Sequence, residues 1–125
     1  MKLIATDNAP APAGHYSQAV VYGGLVYVSG QLPGVPGGGG PPKGIAAQTR
    51  QALANLEAVL KSAGSSLDRV LKVTVYVSDI SLWEKVNAEY ARVFGDHRPA
   101  RAVVPTRELH YGFLVEIDAV AAGIS

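Results

Sequence analysis

The sequence predicts an α+β sandwich, in which a mainly antiparallel sheet of about six strands carries two helices on one face. Three observations lead to this prediction. Short runs rich in Val, Ile, Leu and Tyr recur near both ends of the chain. Two central segments instead repeat apolar residues at helical spacing. The order is three strands, helix, strand, helix, two strands. With 125 residues, we expect one domain over residues 1–125, long enough to bury a core without disulfides or metal.

The first three strands follow from local signals. Lys2 to Thr6 is a strand candidate, and the proline-bearing loop from Asp7 to Gly14 ends it. Ser17 to Tyr22 and Leu25 to Ser29 are strand runs separated by Gly23-Gly24, a two-residue loop typical of a tight hairpin. We therefore expect the second and third strands to pair directly.

This hairpin has polar residues at one end. Tyr16 lies at its entry and Ser29-Gly30 at its exit, so these residues should be neighbours. The following segment, Gln31 to Gly44, is rich in Gly and Pro and predicts an exposed loop. It is not a phosphate-binding loop, because Lys43 follows Pro42 and the Gly-Lys-Ser/Thr pattern is absent.

Helical spacing begins at Ile45 and continues to Ala63, with Gly64 as a natural stop. The apolar stripe expected to pack consists of Ala52, Leu53, Leu56, Val59, Leu60 and Ala63. The polar residues expected to face water are Gln48, Arg50, Gln51, Asn55, Glu57 and Lys61.

A strand and a second helix come next. Leu71 to Val77 alternates apolar and polar residues, as a half-buried strand does. Ser81 to Glu84 has the form of a capping box and predicts a helix from there to about Phe94, ended by Gly95. Trp83 and Tyr90 are interpreted as core or interface residues, with a binding role as the alternative.

The last two strands enclose the expected chemistry. Ala100 to Val104 and Leu114 to Val120 are β-prone, and the segment between them, with Pro105, His110 and Gly112, suits a turn region. An antiparallel pairing of these strands would bring Arg101 and Glu116 side by side. Charges among aliphatic residues are costly to bury without partners, so the two either form a structural ion pair or meet a ligand.

A resemblance bears on this choice. Pro99-Ala100-Arg101, an apolar run and then Glu116 between aliphatics are similar to the signature of the reactive intermediate deaminase family (RidA, formerly YjgF), also known as the endoribonuclease L-PSP family. The similarity extends over the whole chain. It includes Ile4 to Pro10, Gly14 to Ala19, Val28 to Gln31 and Val86 to Ala88.

The resemblance implies a chorismate-mutase-like fold and a homotrimer whose sites lie in clefts between subunits. The residues themselves give independent but weaker support for self-association. Two helices can cover only one face of the sheet, while Val20, Tyr22, Val26, Val28 and the last strand are apolar enough to leave the other face in need of a cover.

Residue roles also come from the resemblance. Arg101 would hold the carboxylate of a small 2-imino acid, a task that suits a planar, permanently charged fork. Glu116 would position the water that attacks the imine carbon and accept its proton. Tyr16 and Ser29 would hydrogen-bond substrate or water, although strand-end polar caps are the alternative for both.

Three more positions match the family's pocket. The backbone of Gly30 would contact the substrate carboxylate, since no side chain blocks approach. Asn87 matches an Asn of the family's second helix. Val103 stands where many members have cysteine, and its contact can be made through the backbone.

The histidines depart from the family pattern. His15 replaces a usual proline and is either a solvated loop residue or a group that reshapes the pocket mouth or protonates a substrate. His97 and His110 share no metal-ligand spacing with it, so we expect no metal. The turn at His110-Tyr111 differs in composition from many relatives, which leaves the substrate range open.

Composition limits the alternatives. The net charge is +1, with 11 basic and 10 acidic residues scattered along the chain, so no basic surface for nucleic acid is indicated. The absence of cysteine excludes disulfides and thiolate chemistry. No segment has the length and apolarity of a membrane span or a signal h-region, and we expect a cytoplasmic protein.

The predicted function is cofactor-independent hydrolysis of 2-aminoacrylate and 2-iminobutanoate to 2-oxo acids and ammonia. Two rivals stay open at this point. One is a ribonuclease acting on single-stranded RNA, an activity attributed to some relatives. The other is a non-catalytic, carboxylate-binding or chaperone-like trimer.

Overall fold

The computed structural model describes residues 1–123 and contains one six-stranded sheet in the order β1-β2-β3-β6-β4-β5. The strands are β1 (Lys2–Ile4), β2 (Ala19–Tyr22), β3 (Leu25–Gln31), β4 (Val70–Val77), β5 (Ala100–Pro105) and β6 (Val115–Ala122). The helices are α1 (Ile45–Ser62) and α2 (Trp83–Phe94). All strand pairs are antiparallel except β4 with β5. The predicted fold class is confirmed.

The hairpin of β2 and β3 forms where its turn residues predict it. Gly23 and Gly24 have φ values of 60° and 78°, and Tyr22 faces Leu25 across the turn. Two successive residues at positive φ form the turn whose twist matches that of paired strands. The local sequence alone is sufficient to define this element.

The pairing predicted for the last two strands is wrong. β5 pairs in parallel with β4, whereas β6 lies on the other side of β4 and pairs with both β4 and β3. The physical reason is the crossover through α2, which returns the chain parallel to β4 at the outer edge of the sheet. β6 then fills the central position and joins the two halves of the sheet.

The core lies between the sheet and the helices. Alternate residues of β4 and β6 point towards α1 and α2, and several valines, leucines and one isoleucine in this layer are fully buried. They include Val73, Val75, Val77, Val115, Ile117, Leu53, Leu56, Leu60 and Val86. Each such side chain contributes roughly 1.5–3 kcal/mol by leaving water.

The opposite face of the sheet has no helix over it within residues 1–123. Leu3, Tyr22, Tyr27 and Val104 are exposed there. Val26 and Val28, which the sequence assigned to this face, are instead buried towards the helices. The expectation of an apolar open face therefore holds, with Tyr22 as predicted and with Leu3, Tyr27 and Val104 in addition.

Two details of the helices also differ from expectation. Gln48 and Asn55 of α1 are buried rather than wetted. The start of the second helical segment is capped by Asp79, whose carboxylate accepts a hydrogen bond from the backbone N–H of Ser81. A short 3₁₀ turn follows, and α2 begins only at Trp83, so Ser81 is not the cap. In the described part of the chain, neither helix is long and apolar enough to cross a bilayer.

Candidate functional site

Glu116 lies on the open face of the sheet, directly against Gly30. A β-carbon at position 30 would lie 2.6 Å from Oε2 of Glu116, so only glycine fits there without displacing the carboxylate. The register between β3 and β6 shifts between Val28 and Gln31, which marks a β-bulge at Ser29-Gly30. The bulge and the glycine together make room for the carboxylate.

The Glu116 carboxylate has no hydrogen bond or ion pair with any residue of the described chain. Burial raises its pKa, with the nearby charge of Asp118 adding to the effect and the charge of His110 opposing it. An unpaired carboxyl group with a raised pKa is suited to accept a proton.

A cavity of about 300 Å³ adjoins Glu116. Its polar lining includes Tyr16, Ser29 and His110. The Ser29 hydroxyl donates a hydrogen bond to the carbonyl oxygen of Ser17 over 2.6 Å, and the Tyr16 hydroxyl accepts one from the N–H of Ala13 over 3.3 Å. Tyr16 can still donate, and Ser29 can still accept. The structure thus brings Tyr16, Ser29 and Gly30 together, as the sequence predicts for the hairpin end, and it places Glu116 beside them.

Arg101 lies elsewhere, against α2. Its guanidinium donates a hydrogen bond to Oδ1 of Asn87 over 3.0 Å, and its Cζ lies 4.8 Å from the ring centre of Trp83 and 4.6 Å from that of Tyr90. These three residues are four and three positions apart along the helix, so they share one stripe. Two aromatic rings and a neutral amide fix the guanidinium without neutralising it.

No carboxylate of residues 1–123 forms an ion pair with Arg101. The structural ion pair between Arg101 and Glu116, one alternative from the sequence, is therefore absent within the chain. The roles of Trp83 and Tyr90 as supports of Arg101 are not apparent from the sequence without knowing that β5 lies beside α2. Burial raises the pKa of Tyr90, against the opposing charge of Arg101.

The remaining predicted positions accompany Arg101. Asn87 and Arg101 line a second cavity, of about 370 Å³, together with His97 and Arg98. Val103 borders a shallow depression beside Arg101. The site residues therefore form two groups, one around Glu116 and one around Arg101. The expectation that Arg101 and Glu116 are neighbours within the chain is wrong.

Three buried amides that the sequence analysis did not single out hold the loops around the Glu116 cavity. Gln18 accepts a hydrogen bond from the N–H of Thr6 over 2.6 Å and donates one to the carbonyl of Pro10 over 2.9 Å. Gln48 accepts from the N–H of Leu114 over 2.8 Å, just before β6.

Asn55 is the third of these amides. It donates to the carbonyls of Leu32 and Gly34 over 2.9 and 2.8 Å, and so fixes the start of the Gly/Pro-rich loop. The one sequence signal was spacing, because Gln48 and Asn55 lie two turns apart on one side of α1. Their burial depends on loops that only the tertiary structure places.

Two histidines lie outside the Glu116 cavity. His15 is exposed and is not part of that cavity's lining. A ring nitrogen of His97 lies 2.7 Å from the carbonyl oxygen of Val70. His110, in contrast, lines the cavity with Glu116.

The six-stranded sheet with its two-helix layer places the chain in a class of α+β proteins with solved members. The chain belongs to one family within it, Endoribonuclease L-PSP, whose family model matches residues 6–123. This is the RidA or YjgF family that the sequence motifs resemble, and the assignment is confirmed.

Three similar proteins illustrate the relationship. A RutC family protein of Pyrococcus horikoshii is 46% identical over 121 residues, which cover 96% of each chain. A 2-iminobutanoate/2-iminopropanoate deaminase of Escherichia coli strain K12 is 41% identical over 123 residues, again 96% of each chain. The crystal structure of E. coli TdcF with bound serine matches with a TM-score of 0.94 and 33% identity, over 99% of this chain and 100% of that one.

Proposed function

We propose that the protein hydrolyses reactive 2-enamine and 2-imino acids, such as 2-aminoacrylate and 2-iminobutanoate, to 2-oxo acids and ammonia without a cofactor. The observation that carries this proposal is the unpaired Glu116 carboxylate, half-buried beside a polar cavity with a raised pKa. The name of the E. coli relative, a 2-iminobutanoate/2-iminopropanoate deaminase, supports the same reaction.

Arg101 binds the substrate carboxylate in this proposal. Its guanidinium is oriented by Asn87, Trp83 and Tyr90, and only one hydrogen bond to a neutral side chain occupies it among the described residues. A fork held in a fixed plane can take both oxygens of a carboxylate. The backbone of Gly30 and of Val103 would complete the carboxylate contacts.

Glu116 acts on water. An enamine such as 2-aminoacrylate first tautomerises to its imine. The Glu116 carboxylate accepts a proton as the water oxygen attacks the imine carbon, the C=N electron pair moves to nitrogen, and the proton passes from Glu116 to that nitrogen. The resulting carbinolamine gives its hydroxyl proton to Glu116, which passes it to the nitrogen as an oxygen lone pair forms the C=O bond and the C–N bond breaks to release ammonia. Tyr16 and Ser29 hydrogen-bond the water or the departing amine. General acid–base help of this kind typically contributes roughly a hundred- to ten-thousandfold.

One chain cannot carry out both tasks on one substrate, because Arg101 and Glu116 lie on opposite faces of its sheet. We propose a homotrimer in which the Arg101 group of one subunit meets the Glu116 group of the next. The exposed Leu3, Tyr22, Tyr27 and Val104 of the open face would be covered in such an assembly. We also propose a cytoplasmic location, which the absence of cysteine permits.

The test is the rate of 2-oxo acid formation when purified protein is added to freshly generated 2-aminoacrylate or 2-iminobutanoate. Wild type should accelerate the reaction, and Arg101→Ala should lose at least a hundredfold in kcat/KM. Arg69→Ala, an exposed arginine on a separate 3₁₀ turn, is the matched control and should keep wild-type rates.

Full activity of Arg101→Ala would overturn the assignment of its role. An inactive wild type that is nevertheless stabilised thermally by 2-oxo acids would favour the non-catalytic binding protein. The near-neutral charge gives no support to a ribonuclease. Salt-dependent RNA binding by the purified assembly would favour the ribonuclease instead.

A further inference from the structure

The cavity beside Glu116 adjoins a second cavity of about 170 Å³, here called the side branch. The residues that line the side branch but not the Glu116 cavity are Pro10, Ala11, Gln18, Gln31, Gly34 and Phe113. The residues shared by the two cavities are Ala13, Tyr16, Gly30, Leu32 and Tyr111. The two cavities therefore lie side by side along these five residues, and together they are called the groove.

The two ends of this groove differ in chemistry. The carboxyl of Glu116, the imidazole of His110 and the hydroxyl of Ser29 lie at one end. No residue lining the side branch carries a charge. Its two amides already form hydrogen bonds with the backbone, that of Gln18 with Thr6 and Pro10 and that of Gln31 with the carbonyl oxygen of Ser29. A substrate with its reacting carbon near Glu116 would meet an apolar space in the direction of the branch.

Tyr111 lies at the junction in an unusual conformation. It is the one non-glycine residue with a positive φ in residues 1–123, at 61°, and the residue is 74% exposed although it borders both cavities. Its ring contacts that of Phe113 edge-on, with 6.1 Å between ring centres. Non-glycine residues held at positive φ cluster at active sites and ligand-binding segments.

We propose that the side branch is the subsite for the side chain of the substrate, and that Tyr111 packs over this side chain and determines a preference for apolar substituents longer than ethyl. The volume is adequate, because an apolar cavity of about 150 Å³ accommodates benzene. A branched aliphatic or aromatic substituent fits that volume. This inference rests on the proposed imine hydrolysis and specifies its substrate class.

The test compares the imino acids derived from leucine and from 2-aminobutyrate, generated in place by an L-amino-acid oxidase with catalase present and spontaneous hydrolysis subtracted. Wild type should show the higher kcat/KM for the leucine-derived imine. Tyr111→Ala, which removes the ring but keeps the backbone strain, should lower the ratio of the two kcat/KM values about tenfold. Tyr111→Phe should keep the wild-type ratio, because the ring remains.

Ala11→Leu provides a second, independent variant. Its larger side chain should occupy the branch and lower the same ratio by a similar factor. Each comparison is a ratio of two kcat/KM values measured on the same variant. A smaller folded fraction lowers both values equally, so it leaves the ratio unchanged. A ratio that is the same in wild type and all variants, in protein that hydrolyses both imines, would overturn this inference and leave the deaminase function standing.

If no imine is hydrolysed at all, the proposed function fails. Measurements of 2-oxo acid binding then test whether the side branch is a subsite. Calorimetry would compare 4-methyl-2-oxopentanoate with 2-oxobutanoate. Tighter binding of the longer acid by wild type, lost in Tyr111→Ala, would support the subsite. Equal affinities in both proteins would overturn it.

Discussion

Arg101 and Glu116 lie on opposite faces of one sheet. Arg101 is in register with Val73 of β4, and Glu116 with Tyr76. These two β4 residues are three positions apart, and neighbouring side chains of a strand alternate between faces. Val73 is fully buried towards the helices, so Arg101 points to the helix side and Glu116 to the open side. A site that uses both residues therefore needs two subunits.

This geometry predicts complementation between inactive subunits. Arg101→Ala and Glu116→Gln proteins, each inactive alone, should regain activity when assembled together. In a random equal mixture with sites between neighbours, about a quarter of the sites combine an intact Arg101 with an intact Glu116. Distinct tags on the two variants allow mixed assemblies to be isolated and assayed for imine hydrolysis.

Unmixed assemblies of each variant are the controls for residual activity. Verified mixed assemblies with no more activity than these controls would contradict sites shared between subunits. Such a result would also leave the separation of the two residue groups without a functional explanation.

Glu116→Gln should reduce imine hydrolysis by a hundredfold or more, because the amide cannot accept the proton of the attacking water. In wild type, activity should rise with pH as Glu116 loses its proton. The midpoint should lie above the ordinary value of 4.5, because burial raises the pKa of this carboxyl. The measurement is kcat/KM against pH, with Glu57→Gln on α1 as the control that keeps the wild-type profile.

Glu116→Gln should also stabilise the protein at neutral pH. The folded state binds the Glu116 proton more tightly than the unfolded state, so the free energy of unfolding falls as pH rises from about 4.5 through the raised folded pKa. Glu116→Gln removes this loss. Thermal unfolding should therefore show a gain in Tm over wild type that is larger at neutral than at acid pH; a constant difference would contradict the linkage.

Gly30→Ala should impair activity more than stability. The φ of Gly30 is not in the left-handed region, so alanine is tolerated by the backbone, but its β-carbon would lie 2.6 Å from the Glu116 carboxylate and must displace it. A displacement of about 1 Å can cost roughly a hundredfold in rate. Gly40→Ala is the matched control, because nothing lies within 4 Å of a β-carbon there. Equal activity of both variants would show that the position of Glu116 is unimportant.

Gln48→Ala should destabilise the protein by roughly 1–3 kcal/mol, because the N–H of Leu114 would lose its acceptor in a partly buried position. Since Leu114 precedes β6, kcat should fall as well. Denaturant unfolding gives the stability change. Lys61→Ala, on the exposed side of the same helix, should alter stability by less than about 0.5 kcal/mol. If both variants behave alike, Gln48 does not hold the strand that carries Glu116.

The sequence by itself determined the elements and their local ends. Gly23-Gly24 specifies its hairpin through backbone conformation, and apolar spacing defines α1 almost to the residue. These features depend on residues close together in the chain, where steric and hydrogen-bonding preferences act without knowledge of the rest. The family motif likewise identified Glu116 and Arg101 as residues of interest.

Only the tertiary structure decided how these residues are arranged. Strand order depends on which long-range pairing buries the most apolar surface, and β-propensity does not specify a partner. As a result, β6 lies between β3 and β4, and Arg101 lies on the outer strand beside Trp83. Gln48 and Asn55 are buried under loops whose backbone groups form hydrogen bonds with their amides. The separation of Arg101 from Glu116 follows from the same choice, because a strand's place in the sheet sets which face and which neighbours its side chains meet.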